Sequence, residues 1–583
     1  MNHVKWIWRL WRDHKKFILL LSFMTIVSAG VTVGYPLVFR ELLDKISEIL
    51  KSPDSFPAPK QEIYRIVWIL VAVGIGRMIA GFYPALRAYM NYLFEYTLRK
   101  KYFASILKKD YRFFNHYRTG DLVTRLTDDL SDFPKIGWFL CSGIFRAFDS
   151  FNKIIFCIAV MFFMSWKLTL LALIPVPLMI IVFYFTSEEL YRRFKKNQEA
   201  ISDINNQLEL SFSGIRIIKA FAGSDKYMRF FSDALNRRFS TEMNVVKLNT
   251  MLHLIYQYID RVAQIVIVVF GGIMVVRGEI SVGTFYAFYT YLALLIYPIL
   301  DLPQLFVSGK QAFVNIDRLE DIKDYPVEKE DKGRKHSIEK VQSVKFAGVD
   351  FCYDNDCILK NLDFTVKRGE KVVIIGPVGS GKTTILGLLT GLLHPSKGSV
   401  FINDIPIDQI SVEGFRNKIG YVPQEPLLFS GTIKDNVIFG TDSIEQELYE
   451  RIIETVQMDR EIEGFSGRHE TKIGQRGLSL SGGQKQRLAI ARALIRKPEI
   501  LILDDITASL DTDNEKKLWE EIDRTYKDIT CFVVSNRLST IKYADNVIFL
   551  DSGTVLGKGK HHELYSSYPE YRTFVEEHYL KSE

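Results

Sequence analysis

A chain of 583 residues is too long for one domain, and its 48% hydrophobic content is unevenly spread: apolar runs crowd the part before about residue 310, and the remainder alternates like a soluble α/β domain. The net charge of +7 would suit nucleic acid, but the basic residues stand beside apolar spans, as the positive-inside bias of membrane proteins produces, so nucleic acid is set aside as a partner. The five cysteines (Cys141, Cys157, Cys352, Cys357 and Cys531) form no CxxC pair and no Cys/His ligand spacing, which argues against a metal site and a disulfide framework; Cys352 and Cys357 read as two reduced cytosolic thiols.

In chain order, residues 4 to 12 place Val4, Ile7, Trp8 and Trp11 on one helical face with Lys5, Arg9 and Arg12 elsewhere, a short helix lying in the inner membrane interface. Phe17 to Phe39 is uncharged, long enough to cross a bilayer and followed by no small-residue cleavage pattern, so it reads as a span rather than a signal peptide. Further spans follow at about Ile63 to Tyr89, Phe145 to Trp166, Leu168 to Thr186, Val262 to Val276 with an extension before it, and Ile280 to Leu300, six in all. Only Ser165-Trp166-Lys167 separates the third span from the fourth, and only Arg277-Gly278-Glu279 the fifth from the sixth, so these are tight turns on one side.

The other side carries two long connections, roughly 90 to 140 and 187 to 255, rich in Lys and Arg and helical in pattern. At about 1.5 Å per residue they would extend the spans tens of ångströms into the cytoplasm, levers able to reach a soluble domain. Gly and small polar residues in Phe114 to Asp121 and in Glu209 to Arg216 mark their tips. Within the spans, Arg146, Asp149 and Lys153 share a face, Arg77 interrupts the second and Asp260-Arg261 opens the fifth; such groups line a cavity or pair near the inner leaflet, and the pattern fits both. Phe285, Tyr286, Phe288, Tyr289 and Tyr291 on the sixth span serve packing or contact with an apolar substrate. Residues 1–318 therefore form the membrane domain, the charged segment 319–343 a linker, and 344–583 the soluble domain.

In that soluble domain an apolar strand, Ile374-Ile375, feeds the loop Gly376, Pro377, Val378, Gly379, Ser380, Gly381, Lys382, Thr383, Thr384. This is a phosphate cradle: curled backbone N–H groups and a helix N-terminus face the anion, Lys382 adds a charge, and the Thr383 hydroxyl completes a Mg²⁺ shell. Upstream, Tyr353 can stack on an adenine. Downstream, Gln424 ends a strand and can reach Mg²⁺ or water, Ser481-Gly482-Gly483-Gln484 opens a helix as a second anion site, and Leu501-Ile502-Leu503-Asp504 is a buried strand ending in a carboxylate suited to Mg²⁺.

Phosphate loop, Gln loop, Ser-Gly-Gly-Gln helix start and apolar strand plus Asp, in that order, resemble the ATP-binding cassette (ABC) family, and the six preceding spans with two long cytoplasmic connections resemble a half-transporter of its exporter type. The resemblance covers nearly the whole chain. It implies an all-α six-helix transmembrane domain followed by an α/β P-loop NTPase domain that binds ATP and Mg²⁺. It also implies a second half-transporter as partner, with two ATP molecules between the cassettes, each held by one chain's phosphate loop and the other's Ser-Gly-Gly-Gln helix. The bends at Arg118 to Asp121 and Ser213 to Arg216 become coupling helices.

Three positions depart from the family. Asp505 stands where the family places the Glu that polarises the attacking water, Asn536 where it places a switch His, and Gln475 where exporters commonly have Glu. A shortened carboxylate misplaces the base by about 1 Å, which costs on the order of 10²-fold in rate, and Asn536 removes a group that can contact the γ-phosphate. Since Ser481 to Gln484 is intact, the expectation is a heterodimer in which this chain's own ATP site binds but hydrolyses poorly. Such a multi-pass protein would sit in a cytoplasmic-type membrane with its ATPase domain in the cytosol, contact the lipid bilayer and export a small amphipathic substrate. A homodimeric exporter or flippase with slow hydrolysis and an ATP-gated channel are the alternatives.

Overall fold

The computed structural model describes residues 2–51, 59–131, 135–326, 336–353, 356–441, 444–474, 480–505, 512–526, 528–535 and 537–579. The chain divides into two compact units, Met1–Lys109 with Phe113–Pro326, and Asp110–Arg112 with Val327–Glu583.

The first unit is helical among its described residues. It opens with α1 (His3–Asp13) and α2 (Lys15–Lys51), followed by α3 (Pro59–Ala80) and α4 (Tyr83–Ile106). The short α5 (Thr119–Leu126) precedes α6 (Ile144–Met164), α7 (Trp166–Leu173) and α8 (Pro175–Ser213). The unit closes with α9 (Ile215–Ala220), α10 (Ser224–Val266) and α11 (Val282–Asp324). Among the described residues five helical segments are long and apolar enough to cross a membrane: Lys15–Leu50, Tyr64–Ile106, Ile136–Met164, Trp166–Ser213 and Ser224–Val276. The expected sixth span falls on an apolar stretch, Val282–Leu295, that is shorter than these.

Of the expected tight turns the first narrows to a single capping residue, and the second, expected at Arg277-Gly278-Glu279, runs over 277–281 and ends in a cap. Ser165 alone, with extended backbone, separates α6 from α7 and accepts the Leu168 N–H. Ser281 starts α11 by accepting the Thr284 N–H, and donates to Asp44 Oδ2 while Asp44 Oδ1 accepts the Gly283 N–H, both at 2.8 Å, so the start of α11 is stitched to α2. The two basic connections are largely helical but interrupted: α4 ends at Ile106 well before the short α5, and α8, α9 and α10 are separated by turns at Gly214 and at 221–223. Still, α10 alone is 43 residues, about 65 Å at 1.5 Å per residue. At the second tip the helix breaks at Gly214, within the expected Glu209 to Arg216: α8 ends at Ser213 and the short helix occupies Ile215–Ala220.

Two readings of side chains change. In α1 the protein-facing residues are Trp6, Ile7 and Leu10, whereas Val4 and Trp8 are exposed. The rotation follows from Trp6, whose Nε1–H donates to Glu320 Oε1 at 2.9 Å beside Tyr102, whose hydroxyl donates to the same oxygen at 2.5 Å; a buried carboxylate needs such donors. In α6, Lys153 Nζ donates to Asp149 Oδ2 at 2.7 Å, so these two charges pair along the helix while Arg146 is exposed.

The second unit is α/β. Its strands are β1 (Ser343–Tyr353), β2 (Asp356–Lys367), β3 (Lys371–Ile375), β4 (Lys397–Ile402), β5 (Ile405–Pro406), β6 (Ile419–Val422), β7 (Gly431–Thr432), β8 (Lys472–Ile473), β9 (Ile500–Asp504), β10 (Thr530–Val534), β11 (Asn546–Asp551) and β12 (Thr554–Gly559). They form a sheet of order β2-β1-β4-β5, a six-stranded sheet of order β12-β11-β3-β10-β9-β6 and the pair β7-β8. In the six-stranded sheet all neighbours are parallel except β11-β12. Its central strands are apolar without alternation because both faces are covered. Val373 and Ile375 of β3, Leu501 and Leu503 of β9 and Cys531 and Val533 of β10 join one core, and the residues between them, such as Ile374, Ile502 and Phe532, join the other.

One expectation is overturned. Cys352 and Cys357 are not two free thiols but a disulfide. They are register partners at the adjacent ends of β1 and β2, which a linear reading of cysteine spacing has no means to detect.

Candidate functional site

The six-stranded sheet assembles the site. The parallel register aligns Ile374 of β3 with Val534 of β10, and Val534 with Asp504 of β9; Val422 of β6 stands beside Leu503. The chain segments leaving these strands at their carboxyl ends, the Gly376 loop, Ser535, Asp505 and Gln424, therefore emerge along one edge, where open α/β sheets place ligands.

The loop is built for close approach. Gly376 has φ +155° and a Cβ there would lie 1.9 Å from Leu550 O, and Gly381 has φ +99° with a Cβ 2.5 Å from Leu359 Cδ2, so neither position accepts a side chain. Pro377, Val378 and Gly379 are exposed at the crest. Ser380 is 3% exposed and its Oγ has no hydrogen-bond partner among the described residues, an orphaned donor of the kind a bound phosphate satisfies. Lys382 opens α12 (Lys382–Leu389), with Thr383 and Thr384 in its first turn, and its Nζ donates to Gly376 O at 2.7 Å and Pro377 O at 2.8 Å. Burial holds the Lys382 ammonium below the ordinary lysine range, opposed by Asp505 and Asp504.

Thr383 Oγ1 donates to Asp504 Oδ1 at 3.4 Å. A hydroxyl and a carboxylate are hard oxygen donors, the set that fits Mg²⁺. Burial lifts Asp504 above the ordinary carboxylate range, and Asp505 adds to this against Thr383 and Lys382. Burial also lifts Asp505, opposed by Lys382 and Arg537. A divalent cation would relieve this crowding of carboxylates. The Asp505 backbone is left-handed, φ +48°, and its N–H donates to Val534 O at 2.9 Å. Asp tolerates this conformation better than most residues, and the bond to β10 fixes where its short side chain begins.

The strand edge does not gather every expected residue by direct bonds. Gln424 is exposed just beyond β6, and Tyr353 is 41% exposed at the end of β1, its ring edge-on to Phe351 at 4.8 Å; among the described residues no hydrogen bond joins either to the phosphate loop. Asn536 and Gln475 lie outside the described residues. Both neighbours of position 536 are placed: the Arg537 N–H donates to Ser535 Oγ and the Ser535 hydroxyl donates to Thr540 Oγ1, both at 3.1 Å, and Thr540 Oγ1 donates to the buried Glu515 at 2.6 Å.

Ser481 caps α14 (Gly482–Leu494), which follows α13 (Asp459–Glu463). It is a full capping box: the Gln484 N–H donates to Ser481 Oγ at 3.3 Å, and the Ser481 N–H donates to Gln484 Oε1 at 2.9 Å. The N–H groups of Gly482 and Gly483, in the first turn, have no acceptor within the helix ladder. Sequence reasoning missed what steadies them. Gln484 Nε2 donates to Glu461 Oε2 at 2.7 Å, and Arg487 donates to Glu461 Oε1 at 2.5 Å. Arg487 is legible as one helical turn after Gln484; Glu461, on a separate short helix, carries no such signal.

Residues 18–299 match the model of the ABC transporter transmembrane region and residues 359–508 that of the ABC transporter family. The chain is 32% identical to a probable multidrug resistance ABC transporter ATP-binding/permease protein, YheI, of Bacillus subtilis, over 84% of this chain and 83% of that one. It is 30% identical to an ATP-dependent lipid A-core flippase of Desulfotalea psychrophila, over 98% of this chain and 99% of that one. Among solved structures, a bacterial Atm1-family ABC exporter with ATP bound superposes with a TM-score of 0.81 at 22% identity, covering 96% of this chain and 97% of that chain.

Proposed function

Because the chain belongs to the ABC transporter family, as a multi-pass exporter whose cytosolic ATPase domain couples ATP hydrolysis to transport, we propose that it is the degenerate-site half of a heterodimer that exports a small amphipathic substrate across the cell's cytoplasmic membrane. Residues 1–318 contribute six spans, 319–343 link, and 344–583 bind nucleotide. The substrate ATP lies with its phosphates on Gly376 to Thr384 and its adenine on Tyr353. Thr383, Asp504 and Gln424 would hold Mg²⁺, which neutralises phosphate charge. The γ-phosphate is assigned to Asp505 and, by its place in the motif order, to Asn536, and the partner's site to Ser481 to Gln484.

The observation that carries this reading is Asp505. Its backbone is left-handed and tied to Val534 O, so a carboxylate one methylene shorter than Glu has no backbone slack by which to advance. Binding groups survive beside it, and the Ser481 cap is intact. The purified chain alone is expected to bind ATP yet release phosphate slowly, and to reach transporter rates only when a second half-transporter with an intact Glu and His is added. Homodimers of this chain turning over ATP at ordinary transporter rates would end the heterodimer reading.

A second reading, a homodimeric lipid flippase with slow hydrolysis, is favoured by the end-to-end match to the lipid A-core flippase. ATP-dependent translocation of a fluorescent lipid by the chain alone in proteoliposomes would select it.

A further inference from the structure

The Cys352–Cys357 disulfide closes the end of the strand pair that displays Tyr353. In register order, Cys352 stands opposite Cys357 and Tyr353 opposite Asp356, so the cross-link lies one residue from the exposed aromatic. The next residues of β2, Ile358 and Leu359, pack under the phosphate loop: a Cβ on Gly381 would lie 3.3 Å from Ile358 Cγ2 and 2.5 Å from Leu359 Cδ2. The same few residues thus touch both ends of the nucleotide site.

The disulfide is not needed to hold the fold. β1 and β2 pair along almost their whole lengths and bury Phe346, Val349, Phe351, Leu359, Leu362 and Phe364 in the core. A loop this short gains little from closure. β2 is the edge strand of its sheet, and Cys357 is exposed while Cys352 is half-buried. In the cytosol, where thiols are kept reduced, an exposed disulfide of this kind is a reversible one.

We propose that Cys352 and Cys357 form a thiol–disulfide exchange site for low-molecular-weight disulfides, and that its oxidation tightens nucleotide binding by fixing the strand end that carries Tyr353. The exposed Cys357 loses its proton and its thiolate attacks one sulfur of RS–SR, releasing RS⁻, which takes up a proton. Cys352, as thiolate, then attacks Cys357 Sγ and expels the second RS⁻, giving one protein disulfide and two RSH. Two electrons pass from the cysteines to the small disulfide, and a dithiol reductant reverses the sequence. The consequence for affinity rests on the proposed role of Tyr353. Ordering one side chain and its strand end before binding is worth about three- to tenfold in Kd.

The test uses the full-length chain in detergent or nanodiscs, with oxidised glutathione as the disulfide and dithiothreitol as the reductant. Among the described residues Cys141, Cys157 and Cys531 are buried, so thiol alkylation of the folded protein followed by peptide mass analysis reads this pair. Affinity for a fluorescent ribose-labelled ATP is measured in both states for the parent, C352S, C357S and Y353A. The expected result is a 352–357 disulfide after oxidised glutathione and tighter binding by about three- to tenfold, with both serine variants insensitive. Failure of the disulfide to form, equal affinity in the two states, or weaker binding on oxidation overturns the proposal whatever the Y353A result. If the parent's affinity responds to oxidation and C352S abolishes the response, the exchange site stands even where Y353A binds normally, and only the adenine-platform reading falls.

Discussion

At the scale of single residues, the site is defined by where charge is crowded. Asp504 and Asp505 are adjacent carboxylates raised by burial, and Lys382 is a half-buried ammonium already spending two N–H donors on Gly376 O and Pro377 O. If the hydrolytic defect resides in Asp505 and Asn536, restoring Glu and His together should raise phosphate release by the assembled protein on the order of 10²-fold, measured as kcat with nucleotide affinity unchanged. The raised Asp504 also has a stability consequence. A carboxyl whose folded value exceeds its unfolded 3.8 binds more protons folded than unfolded between those two values. Its contribution is present below 3.8 and is lost as pH rises through the folded value, so at neutral pH the buried charge destabilises the nucleotide-free chain. Asp504→Asn should therefore melt higher than the parent at neutral pH, by about 2–4 °C for each kcal/mol relieved, with the gap closing as the solution is acidified. A variant that melts lower at neutral pH would show that the carboxylate is compensated.

At the scale of elements, each functional segment starts where a strand or helix ends. The phosphate loop, Asp505, Ser535 and Gln424 leave adjacent parallel strands at one edge, and the register of β3, β10 and β9 sets their spacing to within a residue. The helix start at Ser481 is independent of that edge: its hydrogen bonds run to Gln484 and, through Gln484, to Glu461 on α13. Each charge-assisted bond to Glu461 contributes about 1.5–3 kcal/mol. Glu461→Ala should loosen the capping box, and in a protein pair whose active site uses this helix start it should lower kcat by roughly tenfold or more. The chain's own nucleotide occupancy, read by photolabelling with an azido-ATP, should stay unchanged. Glu461→Gln, which keeps an acceptor for Gln484, should recover part of the rate.

At the scale of the whole molecule, the chain joins a helical unit with apolar spans to an α/β unit with two cores flanking one sheet. In the division of labour proposed, this chain holds nucleotide and the partner's site turns over. Lys382→Ala should then weaken this chain's occupancy and slow vectorial uptake into inverted vesicles several-fold without stopping it; complete loss of ATPase activity in the assembled pair would contradict that division. Uptake against electrical conductance in a planar bilayer separates an exporter from a channel built of the same parts.

The amino-acid order alone carried a great deal. Runs of apolar residues with a period or length that only one environment satisfies marked the membrane unit, and a fixed order of glycines, lysine, threonine and aspartate marked the nucleotide site, because local backbone chemistry needs those residues at those spacings. What it could not carry were relations between residues distant in sequence and close in space. Trp6 turns inward because Glu320, at the far end of the membrane unit, needs its N–H. Gln484 is held by Glu461 on another helix, Thr540 by Glu515, and Asp505 by the carbonyl of Val534. Cys352 and Cys357, read as separate thiols, become partners only when β1 folds back on β2 in one particular register. Spacing along a chain encodes what one helix or one loop can do; which side chains meet across elements is decided by packing, where a buried polar group must find its partner or the fold loses its stability.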